Sequence, residues 1–336
     1  MADSTRRTVS QDDSLPPVEP PNAAFLVQLF LVPGVIVAII VGVWLAFHWL
    51  AHLGSDPQAY VKTLRRDNEG RWQAALNLAN DLRGPGGAAL KSDESLATEL
   101  GRILDDEASS GRSGEQSQTL RLYLCRALGE FAIPAAAGPL VARARGVSDP
   151  QTARAAVEAL AVLATNLVAA GRSFDDAAGV TAAVIAAAQS DDAQLRSASA
   201  FTLGVVGGPA AIERLGLLAG DPSDDVRFNA ALALARQGQL ESFDTLAEML
   251  ALPDIVVGPD AAADPAAQSR RYKRALVVVN AIRGVALLVD ATHEPPPRHL
   301  LDLVEKLTQD PVGDVRSSAT ALLKKVERLG KPAAAG

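Results

Sequence analysis

The chain has 336 residues, with 39 acidic and 32 basic side chains and a formal net charge of −7. Hydrophobic residues make up 48% of it and aromatic residues only 4%, which excludes an intrinsically disordered chain. A single cysteine excludes a disulfide framework and a cysteine-built zinc site, and the acidic balance argues against a nucleic-acid-binding protein. Much of the apolar content is alanine, at 62 residues, which favours closely packed helices.

Both ends of the chain are predicted to be disordered. Residues 1–22 form an acidic, proline-rich tail, and residues 331–336 form a short alanine-rich end.

An uncharged hydrophobic segment follows the N-terminal tail. No Asp, Glu, Lys or Arg occurs from Pro20 to Ser55, and the segment Phe25–Leu50 would span about 39 Å as a helix. That length crosses a hydrocarbon core of roughly 30 Å. It exceeds the hydrophobic core of a signal peptide, roughly 7–15 residues, which would also follow a basic region. We therefore predict a single transmembrane helix over residues 23–53.

Cations flank this segment unevenly. Arg6 and Arg7 are the only cations before it. Four cations follow it within about 20 residues, the window that the positive-inside rule counts: Lys62, Arg65, Arg66 and Arg71. The rule predicts a single-pass protein with its N-terminus outside and its large domain in the cytoplasm.

A repeated pattern occupies residues 56–330. Three copies read DDAQLRSASAFTLGVVG from position 191, DPSDDVRFNAALALARQG from 221 and DPVGDVRSSATALLKKVERLG from 310, and a fourth, DPQTARAAVEALAVLAT, begins at 149. Asp before a helix caps its first N–H groups, and Pro suits the first helical position. The aligned arginines lie 31 to 50 residues apart, a spacing typical of helical-pair repeats: Arg71, Arg121, Arg154, Arg196, Arg227, Arg274 and Arg316.

The recurring D-x(3–5)-[VL]-R-x-x-A unit resembles the HEAT repeat family of armadillo-like helical repeats, over roughly residues 58–330. The resemblance implies an all-α fold, in which the transmembrane helix precedes a right-handed α-solenoid of about six or seven helical pairs. It also implies a hydrogen-bonded ladder between the turn Asp and the helix Arg of neighbouring repeats. We carry that structural role to Asp149, Arg154, Asp191, Arg196, Asp221, Arg227, Asp310 and Arg316.

Two segments interrupt the repeat pattern. Residues 84–117 are rich in Gly and Ser, with one helix predicted near Leu96–Glu107, and residues 254–269 form the second interruption. Insertions in a solenoid map to loops on its edge, so we expect both to be edge loops.

The repeats contain no evident catalytic set. A nucleophile needs a positioned base, and the only histidines here, His293 and His299, lie in a proline-rich turn. Metal sites of HEAT-like hydroxylases rest, by family resemblance, on several His-Glu pairs, and this chain has one, His293-Glu294. The sequence therefore predicts a non-enzymatic protein without a cofactor, a metal, a nucleic-acid partner or a small-molecule substrate.

An extended solenoid without catalytic residues predicts a membrane-anchored scaffold that binds another protein, whose identity the sequence does not give. Candidate contacts on the second helices are Glu213, Arg214, Glu241, Asp244 and Glu248. The basic cluster of Arg270, Arg271 and Lys273 is either an anionic docking patch or a solvated helix start. Two alternatives stay open: a HEAT-like enzyme or assembly factor, for example a chromophore lyase, and a self-associating envelope component.

Overall fold

The computed structural model describes residues 23–52, 57–66, 68, 70–146, 148–255 and 264–329. These residues form α-helices and three short 3₁₀ turns, with no strand among them. The all-α prediction is therefore confirmed for the described residues, while the right-handed twist stays a prediction. The predicted tails, residues 1–22 and 331–336, lie outside the described residues.

The chain divides into two compact units, Met1–Ser55 and Asp56–Gly336. The first contains α1, Ala23–His52, with Pro33 inside the helix. Its segment Leu29–Phe47 has a mean hydropathy of 2.7, and none of it is buried. Two helices of the second unit are also long and apolar enough to cross a membrane, Pro150–Ala169 and Pro265–Thr292, but 61% and 50% of their apolar windows are buried.

The second unit contains fourteen described helices. They are α2 Pro57–Leu64, α3 Arg71–Arg83, α4 Glu94–Ser109, α5 Glu115–Gly129, α6 Ala137–Ala144, α7 Pro150–Ala169, α8 Ala177–Ala187, α9 Ala193–Val206, α10 Pro209–Leu218, α11 Asp224–Arg236, α12 Phe243–Leu250, α13 Pro265–Thr292, α14 Arg298–Leu307 and α15 Gly313–Leu329. The 3₁₀ turns are Leu90–Ser92, Pro134–Ala136 and Leu240–Ser242.

These helices alternate between two layers. The odd-numbered helices α3 to α15 pack side by side in a first layer. The even-numbered helices α2 to α10 pack side by side in a second layer, which α12 and α14 continue. We count the described helices in chain order as six first-layer and second-layer pairs, α3–α4 to α13–α14, with α2 before them and α15 after them.

Aspartate side chains begin many of these helices. Asp93, Asp149, Asp176, Asp192 and Asp264 each accept a hydrogen bond from the backbone N–H three residues later, which satisfies one unpaired donor of the first turn.

The Asp-Pro sites at Asp221 and Asp310 differ from the sequence expectation of a direct cap. Asp221 accepts from the backbone N–H of Ser223, and Asp310 accepts from that of Val312. Each closes a short turn of the kind that Asp side chains favour, and the helix begins only after that turn.

The segment 84–117 differs from the expected edge loop. It contains α4, which packs between α2 and α6 in the second layer. The reason is that Leu96, Leu100, Ile103 and Leu104 recur at helical spacing and are all buried. Of the second expected loop, 254–269, residues 256–263 lie outside the described residues, and residues from Pro265 onward belong to α13.

The core consists mainly of small and aliphatic side chains between the layers. It forms two clusters, one running from Leu64 to Leu234 and the other from Phe228 to Leu322. Helix α11 contributes to both clusters, so the division of the core runs along this helix.

Candidate interaction surface

Arginine–carboxylate pairs join successive helical pairs. Arg196 of α9 donates from Nε to Oδ2 of Asp221 at 2.7 Å and from Nη2 to Oδ1 at 3.0 Å. Its Nη1 also donates to the main-chain carbonyl of Asp191 at 2.9 Å. This fork of hydrogen bonds fixes α9 to the turn that precedes α11.

The pair is electrostatically coupled. The hydrogen bonds from the Arg196 guanidinium hold the pKa of Asp221 below its ordinary value, against the opposing effect of burial. The same hydrogen bonds raise the pKa of Arg196. The charged forms of both side chains are therefore the stable ones in the folded protein.

Three further first-layer arginines pair with carboxylates: two of them reach the turn before the next first-layer helix, and Arg71 reaches Glu107 at the end of α4, in its own helical pair. Arg121 Nε donates to Asp149 Oδ2 at 3.1 Å, and Arg71 Nη1 donates to Glu107 Oε2 at 2.8 Å. Arg274 forms an ion pair with Asp310, and both side chains are buried. The pairs are therefore Arg71–Glu107, Arg121–Asp149, Arg196–Asp221 and Arg274–Asp310, which we call the ladder.

The ladder is interrupted at two junctions. Arg154 does not reach Asp191; it donates to the Gln194 side chain and lies 3.7 Å from Glu158 in its own helix. Arg227 pairs within its own helical pair, with Glu248 at 2.6 Å and Asp224 at 2.9 Å.

At the C-terminal end of the described chain, Arg316 contacts only its own turn, where Nη1 donates to the carbonyl of Asp310 at 2.7 Å. The structure therefore brings Arg196 to Asp221, but not Arg154 to Asp191.

Sequence reasoning missed the acid at the first junction. Glu107 is almost fully buried and accepts from Ser117 Oγ at 2.5 Å and Arg112 Nη2 at 2.7 Å, besides Arg71. Burial alone would raise the pKa of Glu107, but these hydrogen bonds and the charge of Arg71 lower it. The repeat pattern did not reveal this acid, because it is a Glu rather than an Asp and lies near the end of α4 instead of in the turn before α5.

The predicted contacts on the second helices are scattered. Glu213, Glu241 and Asp244 are exposed on α10, a 3₁₀ turn and α12. Arg214 donates to the carbonyl of Ala188 at 2.5 Å, and Glu248 is engaged by Arg227. The structure does not bring these side chains into one cluster.

The basic cluster lies in the first turns of α13. Arg270 is exposed, Arg271 is half-buried, and Lys273 lies 3.4 Å from Asp225 of α11. Both members of that ion pair are more than 60% exposed, so it stabilises the fold little.

The exposed side of the first-layer helices carries apolar and aromatic residues; we call it the first-layer face and define it by Val162, Phe201, Tyr272 and Leu276. These side chains are 40%, 44%, 67% and 46% exposed, respectively. The Arg236 guanidinium lies 5.7 Å from the centre of the Phe201 ring. Exposed aromatics paired with arginine are typical of the residues that dominate protein interfaces.

A cavity of about 320 Å³ opens beside Phe201, across α7, α9 and α11. Its polar lining includes Arg154, Gln194, Ser197 and Asn229. Asn229 Nδ2 donates to Ser197 Oγ at 2.7 Å, and Ser197 Oγ donates to the carbonyl of Asp225 at 3.2 Å. Within the described ranges, no group of three His, Cys, Asp or Glu side chains has the placement of a metal site.

Comparison with known proteins points to the same repeats. A family model for HEAT repeats matches residues 181–262. No curated protein sequence matches the chain.

Among solved structures, the chain is similar to YibA of Escherichia coli, with 14% identity, a TM-score of 0.44, and coverage of 81% of this chain and 93% of that one. It is similar to human deoxyhypusine hydroxylase in complex with glycerol, with 19% identity, a TM-score of 0.31, and coverage of 81% of this chain and 96% of that one. It is also similar to a designed armadillo repeat protein, with 18% identity, a TM-score of 0.31, and coverage of 80% of this chain and 99% of that one. The family match over residues 181–262 supports the resemblance to the HEAT repeat family.

Proposed function

We propose that this chain is a membrane-anchored, non-catalytic HEAT-like scaffold that binds a protein partner. The observation that carries the proposal is the first-layer face, where Phe201 and Tyr272 are exposed in a chain with only 4% aromatic residues. Isolated exposed apolar residues are ordinary. Here the exposed aromatic ring of Phe201 adjoins an open cavity and a stacked arginine, which is the arrangement of an interface anchor.

The membrane part of the proposal rests on α1. Its 30 residues contain no charged side chain, and none of the segment Leu29–Phe47 is buried in the protein. The cations Lys62, Arg65, Arg66 and Arg71 favour a cytoplasmic solenoid with the N-terminus outside. An anchored scaffold raises the effective concentration of its partner at the bilayer.

Alkaline extraction of native membranes tests the anchor. The full chain is expected in the pellet with integral proteins, and a reporter fused to its C-terminus should be active only on the cytoplasmic side. The variant Ile39→Arg places a charge at the centre of the apolar segment and should increase the extracted fraction. A wild-type chain that is fully released at alkaline pH contradicts the anchor.

Affinity capture of the intact protein from its native membranes tests the binding role. The variant Phe201→Ala should lose a specific partner that wild type captures. The control Leu217→Ala removes an apolar side chain that is 66% exposed on the second-layer helix α10, and should retain that partner. If both variants capture the same proteins, the partner binds elsewhere, for example at Glu213, Glu241 and Asp244.

The alternatives receive less support. No observation in the described residues favours a chromophore-lyase-like activity or a self-associating envelope component. The interaction role is therefore the function that the geometry supports best.

A further inference from the structure

A small cavity of about 210 Å³ lies among the loop between α4 and α5, helix α5, the end of α6 and the start of α7. Its lining includes three arginines, Arg112, Arg121 and Arg143, and one acid, Asp149. Cationic side chains therefore outnumber carboxylates three to one in this lining, whereas the chain as a whole is acidic.

Two of these arginines are held in place by the fold. Arg121 donates from Nε to Asp149 Oδ2 at 3.1 Å and from Nη1 to Ser117 Oγ at 2.9 Å, and its side chain is 8% exposed. Arg112 donates from Nη2 to Glu107 Oε2 at 2.7 Å. Both guanidinium groups are therefore oriented before any ligand enters the cavity.

The third arginine, Arg143, uses its donors poorly. Its ion pair with Asp105 is long, at 3.5 Å, and both side chains reach the solvent, with 26% and 51% exposed. Such a pair contributes little to stability. The Arg143 Nε–H group is buried and has no hydrogen-bond partner among the described residues, although buried donors in proteins are nearly always paired. A small rotation of this side chain would therefore let an incoming anion replace a weak contact with strong ones.

The chemistry of the lining matches a phosphate group. A phosphate monoester carries about two negative charges near pH 7, which equals the surplus of three arginines over one aspartate. Its oxygens accept hydrogen bonds in several directions, and the planar guanidinium fork of an arginine binds two of them at once. A single carboxylate would balance only half of this surplus.

We propose that this cavity binds a phosphate group, with Arg143 as the arginine that turns onto the ligand and with Arg112 and Arg121 as the fixed positive wall. This inference goes beyond the scaffold role and does not depend on it. A bound phosphate would join α6 to the loop before α5 and would stabilise this part of the second unit by mass action.

Thermal unfolding of the purified full chain tests the site. The probe is inorganic phosphate at pH 7.5, and the control is sodium chloride at the same ionic strength. Phosphate should raise the melting temperature in a saturable way, because it binds the folded chain, while chloride should leave the melting temperature nearly unchanged. Equal responses to the two salts overturn the proposal.

A matched pair of variants locates the binding by isothermal titration calorimetry. Arg143→Gln should weaken phosphate binding by at least about tenfold, because it removes a charge-assisted fork of hydrogen bonds. Arg172→Gln, at an exposed arginine after α7, should leave the dissociation constant unchanged. Circular dichroism verifies that both variants keep the wild-type helicity. Wild-type affinity in a folded Arg143→Gln variant overturns the proposal.

A second variant tests the same arginine without removing it. Asp105 competes with the ligand for Arg143, so Asp105→Asn should tighten phosphate binding by about two- to fivefold, in keeping with the small energy of an exposed ion pair. Asp106→Asn, at the neighbouring exposed acid, should change the affinity less. A purely structural role for Arg143 would not produce tighter binding. Unchanged or weaker binding by Asp105→Asn overturns the proposal.

Two phosphate monoesters then distinguish the source of the ligand. Glycerol 3-phosphate is soluble, and phosphatidic acid in detergent micelles presents the same group on a lipid. Equal affinity per phosphate assigns the site to a soluble phosphate ester, and tighter, Arg143-dependent binding of the micelles assigns it to a lipid headgroup. Either result supports the phosphate site, and failure of both ligands to bind overturns it.

Discussion

Single side chains decide how firmly each repeat is joined to the next. Arg196 and Asp221 are 15% and 7% exposed as side chains and share two hydrogen bonds. Breaking a buried pair leaves one charge without compensation, which is more costly than losing an exposed pair. The ladder therefore stabilises some junctions much more than others.

We predict that Arg196→Gln lowers the free energy of unfolding by about 3 kcal/mol, because Asp221 then stays buried without its partner. The matched change Arg154→Gln at a junction without a ladder pair should cost less than about 1 kcal/mol. Denaturant unfolding of both variants measures the difference. Equal losses would show that the ladder pair adds nothing.

The lowered pKa of Asp221 also predicts a pH dependence. Because its folded pKa lies below its ordinary value of 3.8, its contribution to stability is complete above that value and is lost as the pH falls through the folded pKa. Glu107 and Asp149 shift in the same direction. The melting temperature of the wild type should therefore fall steeply below about pH 4. The melting temperature of the Asp221→Asn variant should fall less steeply than that of the wild type between pH 7 and 3. Parallel profiles would contradict this origin.

At the scale of helices, close approach explains the abundance of small residues. A Cβ added at Gly204 of α9 would lie 2.5 Å from the Cβ and 2.9 Å from the Cα of Ala233 in α11. A Cβ at Gly129 of α5 would lie 2.9 Å from the Cα of Ala159 in α7. These first-layer helices are therefore separated by hydrogen-sized or methyl-sized side chains.

We predict that Gly204→Ala destabilises the protein by about 1–3 kcal/mol, because the added methyl group overpacks the α9–α11 contact. Gly216→Ala on α10 is the matched control, since nothing lies within 4 Å of its added Cβ. That change should be neutral or stabilise the helix by up to about 1 kcal/mol. Thermal unfolding distinguishes the two, and a neutral Gly204→Ala would mean that the helices separate easily.

Much of the helix arrangement is predictable from the sequence. The start of α7 at Asp149–Pro150 follows from local capping chemistry. The spacing of the apolar residues Leu96, Leu100 and Ile103 predicts helix α4, but the surrounding Gly and Ser residues suggest a loop and so do not indicate that α4 belongs to the second layer. The target of Arg154 was not predictable. The repeat pattern offers Asp191 as the acceptor, but the side chain that accepts from Arg154 is Gln194 in the first turn of α9, and residue spacing does not distinguish the two.

At the scale of the whole second unit, the core divides along α11. The two clusters meet at this helix, and Arg227 bonds to Glu248 of its own pair rather than to the next repeat. Within the described residues, the side-chain ion pair that joins α11 to α13 is the exposed Lys273–Asp225 contact. Nearest-neighbour coupling in a solenoid is then weakest at this junction.

We predict that the two parts respond separately to core substitutions. Leu288→Ala should lower the hydrogen-exchange protection of α13 to α15 by about 2–4 kcal/mol and leave that of α5 to α9 nearly unchanged. Leu160→Ala should lower the protection of α5 to α9 and leave that of α13 to α15 nearly unchanged. Both side chains are almost fully buried. Native-state hydrogen exchange resolves this, and a uniform loss of protection in both variants would contradict a divided core.

We propose above that a membrane-anchored solenoid binds a protein partner through its first-layer face. Site-specific photo-crosslinking in native membranes tests it most directly, with a photoreactive residue replacing Phe201 in one variant and Leu217 in another. We expect a discrete crosslinked partner from position 201 and none from position 217. Crosslinking at position 217 alone, or at neither position, would contradict it.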